Sequence, residues 1–242
     1  MPQPSPWVRR RAQAVASVAV AVMALLCPRL VVAQVGHLPD RSPFEDVRFG
    51  QTLALLAGWY MPGRDLAGVA PRAGTLGELR YDIAVGGPAS LYARYGMARG
   101  ERDVLLPERP SSTRVFATRP VSTHSVDAGL DIALTGAKTW HRLVPSVFGG
   151  AGLVGDFAKA DTGGYRFGNK FTITWGGSLR FLPRRGVQLR ADLTNRFFQY
   201  DYPDRYFVKA ADTTSILSDT RRRSVWRGNW GASAGVILPL FR

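Results

Sequence analysis

The chain has 242 residues and a formal net charge of +14, from 32 Lys and Arg against 18 Asp and Glu. Its only cysteine, Cys27, excludes an internal disulfide and any structural metal site built on several thiolates. A basic excess is often associated with nucleic-acid binding, but no basic helix or RNA-binding motif accompanies it. We therefore expect no nucleic-acid partner, and expect anionic lipid head groups or glycolipid phosphates as the counter-charge.

The N-terminal segment has the organisation of a secretory signal. Arg9, Arg10 and Arg11 precede an apolar run over 14–26, and small residues at 31–33 lead to a cut before Gln34. The run is shorter than the roughly 20 apolar residues of a membrane-spanning helix. We predict a signal peptide over 1–33, a periplasmic lead-in over 34–48 and one barrel domain over 49–242. The signal carries four arginines and no acid, which leaves the remaining chain at +10.

Strict alternation of apolar and polar residues then dominates the chain. The clearest example is the hairpin over 171–197, in which Phe171, Ile173 and Trp175 face one way and Thr172 and Thr174 the other. Side chains of a strand point to opposite faces with a period of two, so each segment of this kind predicts a two-faced strand. Eight such segments are recognised: 49–61, 77–85, 89–97, 125–134, 143–154, 171–181, 187–197 and 226–238.

The connections between these segments alternate in length. Long connections follow the first, third, fifth and seventh strands, and short ones follow the second, fourth and sixth. This arrangement is typical of an up-and-down outer-membrane β-barrel, with short periplasmic turns and long extracellular loops. The predicted fold is therefore all-β, an eight-stranded antiparallel transmembrane barrel with both termini periplasmic.

One face of the predicted strands collects charges of both signs. In a membrane barrel this face points inward, and an eight-stranded barrel is just wide enough to be filled by side chains. Neighbouring opposite charges offset each other's desolvation, so we predict a paired network that fills the lumen. Its predicted members are Glu78, Arg80, Asp82, Arg94, Asp127, Asp131, Arg180, Arg190, Asp192, Arg196 and Arg227. The opposite face carries aromatic residues suited to interfacial girdles: Trp59, Tyr81, Tyr95, Phe171, Trp175, Phe181, Trp226 and Trp230.

In this pattern the chain resembles small outer-membrane barrels typified by the transmembrane domain of outer-membrane protein A. The resemblance covers the whole chain after the signal and implies outer-membrane lipid, surface glycolipid and the outer-membrane assembly machinery as partners. The chain departs from the family pattern at the C-terminus. Phe241 is penultimate and in the inward register, whereas such barrels end on an outward aromatic residue. A bulge near Pro239 would rotate Phe241 outward.

Function is less strongly indicated than fold. We expect a structural or adhesive protein that presents surface loops to an extracellular ligand of unknown identity. The alternatives are a narrow pore, a lipid A-modifying enzyme and a soluble lipocalin-like barrel that has the same periodicity with its faces reversed. For an enzyme, His124 and Ser122 share a face, but no deacylase motif surrounds them, so no catalytic residue is assigned.

Two further features concern ligands. Arg221, Arg222 and Arg223 form the densest run of charge in the predicted loops, and we interpret them as a contact for glycolipid phosphate. No phosphate-binding glycine loop or cluster of metal-ligating residues is apparent, so neither a cofactor nor a metal is predicted. The segment Gly149-Gly150-Ala151-Gly152 lies within a strand, where small residues relieve crowding.

Overall fold

The computed structural model describes residues 42–47, 50–183 and 187–241, without the side chain of Phe241. The predicted signal peptide and most of the predicted lead-in lie outside the described residues. Ten strands are formed: β1 (Phe44–Asp46), β2 (Gln51–Met61), β3 (Gly74–Gly86), β4 (Ala89–Leu105), β5 (Val115–Ala133), β6 (Lys138–Trp140), β7 (Leu143–Gly155), β8 (Lys170–Phe181), β9 (Gln188–Asp201) and β10 (Ser224–Phe241). The described residues include two short 3-10 helices and no helix long and apolar enough to cross a membrane.

Eight of these strands form a closed antiparallel ring in the order β2, β3, β4, β5, β7, β8, β9, β10. The ring closes where β10 returns to β2, with Trp230 opposite Met61 and Ala234 opposite Ala57. Closure pairs the backbone groups of neighbouring strands and removes the open edges of a sheet. The predicted fold class is confirmed.

The polarity of the two faces is that of a membrane barrel. Outward-facing Leu55 and Leu153 are each 60% exposed, whereas inward-facing Arg80 is 0% and Arg94 2% exposed. A soluble lipocalin-like barrel requires the reverse, with apolar side chains inside and charges in water. The structure therefore contradicts that alternative.

The ring has two unlike ends. At the turn end lie the start of β2, the end of β10 and the short connections β3–β4, β5–β7 and β8–β9. At the loop end lie the four connections over 62–73, 106–114, 156–169 and 202–223. The predicted alternation of connection lengths is present except at 106–114, which is no longer than the β5–β7 connection over 134–142 because β4 and β5 extend into the predicted loop.

The strands β4 and β5 are much longer than predicted. Most of 99–121, predicted as a loop, is a paired ribbon in which Gly100 lies opposite Val121 and Val104 opposite Ala117. The neighbouring β7 ends at Gly155, opposite His124, so the ribbon extends beyond the ring. Pro120 is compatible with this position because β5 has no second partner strand there. Charged residues on both faces hide the alternation in this part of the sequence.

Two further features occur at the turn end. The strand β1, from the predicted lead-in, pairs with β6, which lies inside the predicted turn over 135–142. In the last strand the register shifts between Pro239 and Phe241, and both Pro239 and Leu240 are exposed. Such a bulge is where a strand tolerates proline.

Candidate functional site

The lumen contains two groups of charged side chains. The group nearer the turn end, the turn-side cluster, consists of Arg80, Asp82, Asp131, Arg180, Arg190 and Asp192, all at most 6% exposed. Both Arg80 and Arg190 contact all three carboxylates. The Arg80 Nε donates to Asp82 Oδ1 at 3.0 Å, Nη1 to Asp192 Oδ2 at 3.2 Å, and Nη2 to Asp131.

The second guanidinium completes this arrangement. The Arg190 Nε donates to Asp192 Oδ1 at 2.7 Å, Nη1 to Asp82 Oδ2 at 3.3 Å and Nη2 to Asp131 Oδ2 at 3.1 Å. Arg180 adds a contact of 3.4 Å between its Nη2 and Asp82 Oδ1. The side chains come from β3, β5, β8 and β9, so the turn-side cluster ties opposite walls of the barrel together.

The loop-side cluster consists of Glu78, Arg94, Asp127 and Arg196. Arg94 Nη2 donates to Asp127 Oδ1 at 2.8 Å, and Arg196 Nη2 donates to Glu78 Oε1 at 2.6 Å. Ser233 Oγ donates to the second oxygen of Glu78 at 2.6 Å. Ten of the eleven side chains predicted to face the lumen are thus buried and in ion pairs, five of them cationic and five anionic.

An aromatic pair lies between the two clusters. The rings of Tyr92 and Phe148 meet edge to face, with centroids 5.6 Å apart. The Arg80 guanidinium carbon lies 4.2 Å from the Tyr92 centroid, and that of Arg94 lies 5.1 Å from the Phe148 centroid. Both rings thus make cation–π contacts that sequence analysis did not predict. The alternation points both side chains inward, but their mutual contact depends on the register of strands distant in sequence.

A glycine makes room for one of these ion pairs. A Cβ atom added at Gly96 would lie 2.7 Å from Ser125 Oγ and 3.3 Å from Arg196 Nη2. A side chain at this position would displace Ser125 Oγ and crowd the Arg196 guanidinium that pairs with Glu78.

Arg227 lies apart from both clusters. It is half-buried at the loop end and lines a cavity between the connections 62–73 and 202–223. The reason is that β10 continues beyond the end of β2, whose last paired residue, Met61, faces Trp230. The inward register of Arg227 was predicted, but its height above the lumen was not, and its assignment to the lumen network is corrected.

The arginines predicted to contact glycolipid phosphate lie in the connection 202–223. Arg221, Arg222 and Arg223 are all exposed. Arg221 lines the same cavity as Arg227, and Arg223 pairs with Asp204 at 3.2 Å.

The long connections fold together over the mouth of the barrel. Their shared core, the loop cap, consists of buried residues of three connections and of the strand ends next to them: Val69, Ala70, Leu105, Val154, Tyr165, Phe167, Phe198, Tyr200, Tyr202, Tyr206 and Leu217. Within it Tyr165 and Tyr206, both 0% exposed, stack at a centroid distance of 6.5 Å. Burial raises the pKa of Tyr165, Tyr202 and Tyr206 above the ordinary value of 10.

Aspartates join the connections to one another. Asp65 accepts hydrogen bonds from the backbone N–H groups of Val69 at 2.5 Å and Ala70 at 2.7 Å, and from the hydroxyl of Tyr202. Asp161 accepts from Arg102 Nη1 at 2.7 Å. From their sequence, these connections were predicted only as loops.

A third aspartate joins the connection 106–114 to the connection 202–223. Asp212 accepts hydrogen bonds from Thr214 Oγ1 at 2.7 Å and from the backbone N–H of Ser111 at 2.7 Å. These bonds lower the pKa of Asp212 below its ordinary range.

His124 lies on the outer surface of the barrel. Its Nδ1 is 2.7 Å from the hydroxyl of Tyr95, and its ring contacts Phe157 at a centroid distance of 5.3 Å. Ser122, which shares a face with His124 in the sequence pattern, makes no hydrogen bond with it among the described residues. Within residues 42–47, 50–183 and 187–241, no group of three or more His, Cys, Asp or Glu side chains is placed to hold a metal ion.

Solved structures of Ail, the attachment invasion locus protein of Yersinia pestis, are similar to this chain. They are a crystal structure (TM-score 0.38, 13% identity), a complex with the heparin analogue sucrose octasulfate (0.37, 12%) and a backbone structure of this outer membrane protein in a phospholipid bilayer nanodisc (0.40, 14%). Each match covers 78% of this chain and 100% of that chain. No family model and no curated protein matches the sequence.

These TM-scores are too low to support an argument, so the class of the protein is defined by its own strand pairing. The chain forms a closed eight-stranded antiparallel barrel with an apolar exterior and a charged interior. That combination is the architecture of a small transmembrane β-barrel, as the sequence resemblance predicted.

Proposed function

We propose that the protein resides in the bacterial outer membrane as a closed barrel, with the turn end and both termini in the periplasm and the loop cap outside the cell. Its role is structural or adhesive rather than catalytic: it presents a folded surface of loops to an extracellular ligand. The supporting observation is the polarity of the barrel, since a wall of exposed Leu55, Val126 and Leu153 around buried ion pairs suits lipid and not water.

The proposal includes two kinds of partner besides lipid. The assembly machinery of the outer membrane would insert the barrel, and surface glycolipid would meet the exposed Arg221, Arg222 and Arg223 through its phosphates. Arginine is suited to this contact because its planar guanidinium binds phosphate through two parallel hydrogen bonds.

Membrane insertion is tested by refolding residues 34–242 in detergent and comparing gel mobility with and without boiling. A closed membrane barrel is expected to keep a distinct mobility until it is heated. If the two lanes coincide and the chain stays soluble without detergent, membrane insertion is refuted.

A closed lumen predicts no steady ion conductance in a planar bilayer, because five guanidiniums and five carboxylates neutralise one another across the interior. Regular conductance steps from the purified wild-type protein would instead support the narrow-pore alternative.

Orientation is tested with trypsin added to intact cells that express the protein. Cleavage after the exposed Arg221 or Arg222 is expected from outside, because trypsin cuts after arginine. Cleavage that appears only after the outer membrane is permeabilised would place the loops on the periplasmic side.

A further inference from the structure

A cavity of about 510 Å³ lies at the loop end, beside the seam where β10 meets β2. Residues 64–66 form one wall, residues 216–218 and Arg221 form another, and Arg227 completes the lining. The seam opens here because β2 ends at Met61 while β10 extends to Ser224.

Three guanidiniums line this cavity, those of Arg64, Arg221 and Arg227. Among the described residues, none of the three has a hydrogen bond or an ion pair. The Nε of Arg227 is buried and has no hydrogen-bond partner there. A buried N–H without an acceptor is unfavourable, so an anion in the cavity would supply what this group lacks.

The only carboxylate in the lining, Asp65, already has its hydrogen-bonding capacity in use. Its Oδ1 accepts from Ala67 N at 3.2 Å and from the Tyr202 hydroxyl, and its Oδ2 accepts from Val69 N and Ala70 N. Three cations and one anion leave the cavity with an excess of two positive charges.

The position of the cavity along the barrel axis indicates which kind of anion can reach it. Trp226, next to Arg227 in the chain, is 41% exposed on the outer face and stacks on Phe197 at 5.2 Å. Trp230 meets Trp175 edge to face at 5.1 Å. Aromatic rings of this kind mark the membrane interface, where lipid head groups lie.

We propose that this cavity is a specific phosphate-binding site, which takes the phosphate of an outer-leaflet glycolipid through Arg64, Arg221 and Arg227. The assignment to a lipid rests on the proposed outer-membrane location, whereas the phosphate chemistry does not. The volume exceeds that of a phosphate group, and the space beside Leu66 and Ile216 accommodates the group to which the phosphate is attached.

The test compares R64Q, R227Q and the double variant with wild type, and uses R119Q as the control. Arg119 is an exposed arginine of the β4–β5 ribbon that does not line the cavity. Each protein is refolded and titrated in phosphatidylcholine nanodiscs with diphosphorylated lipid A or with the same lipid after removal of both phosphates. Inorganic phosphate is titrated into the detergent-solubilised proteins.

We expect R227Q and R64Q each to weaken binding of the diphosphorylated lipid about tenfold, R119Q to bind like wild type, and the dephosphorylated lipid to show no saturable binding. If inorganic phosphate binds with the same dependence on Arg64 and Arg227 and displaces the lipid at comparable concentration, the site is a phosphate site open to free phosphate. Equal losses in R119Q and R227Q, or equal binding of the dephosphorylated lipid, would overturn the proposal.

Heat-dependent gel mobility is measured on every variant. A normal shift shows that a variant is folded. If R227Q does not fold, the comparison of R64Q with wild type tests the proposal, because Arg64 is exposed. Absence of the shift in wild type refutes membrane insertion, while the inorganic phosphate titration still decides whether the cavity binds phosphate.

Discussion

The lumen clusters and the loop cap both close the same barrel, but by opposite physical means. In the lumen, ten charged side chains on regular strands neutralise each other, and each arginine of the turn-side cluster reaches across to other strands. In the loop cap, aromatic rings from irregular connections pack together, and single aspartates hold the backbone turns.

This difference shows which kind of interaction stabilises each region of the barrel. Inside a narrow barrel the walls exclude water, so a charge is tolerated only with its partner in place. Outside the membrane the connections can be solvated, and burial of apolar surface is what orders them. We therefore expect lumen substitutions to affect the whole barrel and loop-cap substitutions to act locally.

The largest effect is expected for R190A, which removes a guanidinium that contacts three carboxylates. The variant leaves uncompensated negative charge in the lumen, and we expect the free energy of unfolding to fall by about 3–5 kcal/mol. The measurement is reversible urea unfolding in lipid vesicles, followed by tryptophan fluorescence. The exposed Arg119 provides the control, since R119A should change stability by less than about 0.5 kcal/mol. Equal values for both variants would contradict a structural role of the turn-side cluster.

A smaller and more local effect is expected for Y206A, which removes a fully buried ring from the loop cap. The cap should open more easily by about 3 kcal/mol, because the cavity left behind is not refilled. Limited proteolysis of vesicle-embedded protein should show faster cleavage in 202–223, while the heat-dependent gel shift stays unchanged. A loss of the gel shift would mean that the loop cap and the barrel form one cooperative unit.

A still smaller effect is expected for D65N, which keeps the shape of the side chain but removes its charge. We expect a loss of about 1–2 kcal/mol in the local stability of the segment 65–70, because charge-assisted hydrogen bonds from two backbone N–H groups are weakened. Hydrogen exchange of Val69 and Ala70 amides measures this directly. Unchanged protection of these two amides would show that packing alone holds the turn.

The smallest effect near neutral pH concerns the tyrosines of the loop cap. Burial raises the pKa of Tyr165, Tyr202 and Tyr206, so the folded cap favours their protonated form. Their contribution to cap stability is complete below the unfolded pKa of about 10 and is lost as pH rises above that value. Protease resistance of the cap should therefore stay constant from neutral pH up to about 9 and fall under more alkaline conditions. A decline that begins near neutral pH would point to a different group.

Much of the barrel could be predicted because a strand's backbone imposes a period of two on its side chains. That periodicity places Arg80, Asp131 and Arg190 on one face whatever their partners are. It fails in 99–121, because charged residues lie on both faces of the β4–β5 ribbon: Glu101 is exposed, whereas Arg102 is buried and donates to Asp161.

By itself the sequence determined the number of strands in the ring, the two faces of each strand and, except at 106–114, the alternating lengths of the connections, because these follow from local periodicity and turn residues. The tertiary structure decided which arginine meets which carboxylate, since that depends on the register of strands whose paired residues lie up to 118 positions apart, such as Glu78 and Arg196. It also decided that the loops fold into a cap, and that Arg227 lies beside Arg64 and Arg221 rather than in the lumen. The position of Arg227 depends on where β2 ends relative to β10, and the sequence of neither strand by itself fixes that register.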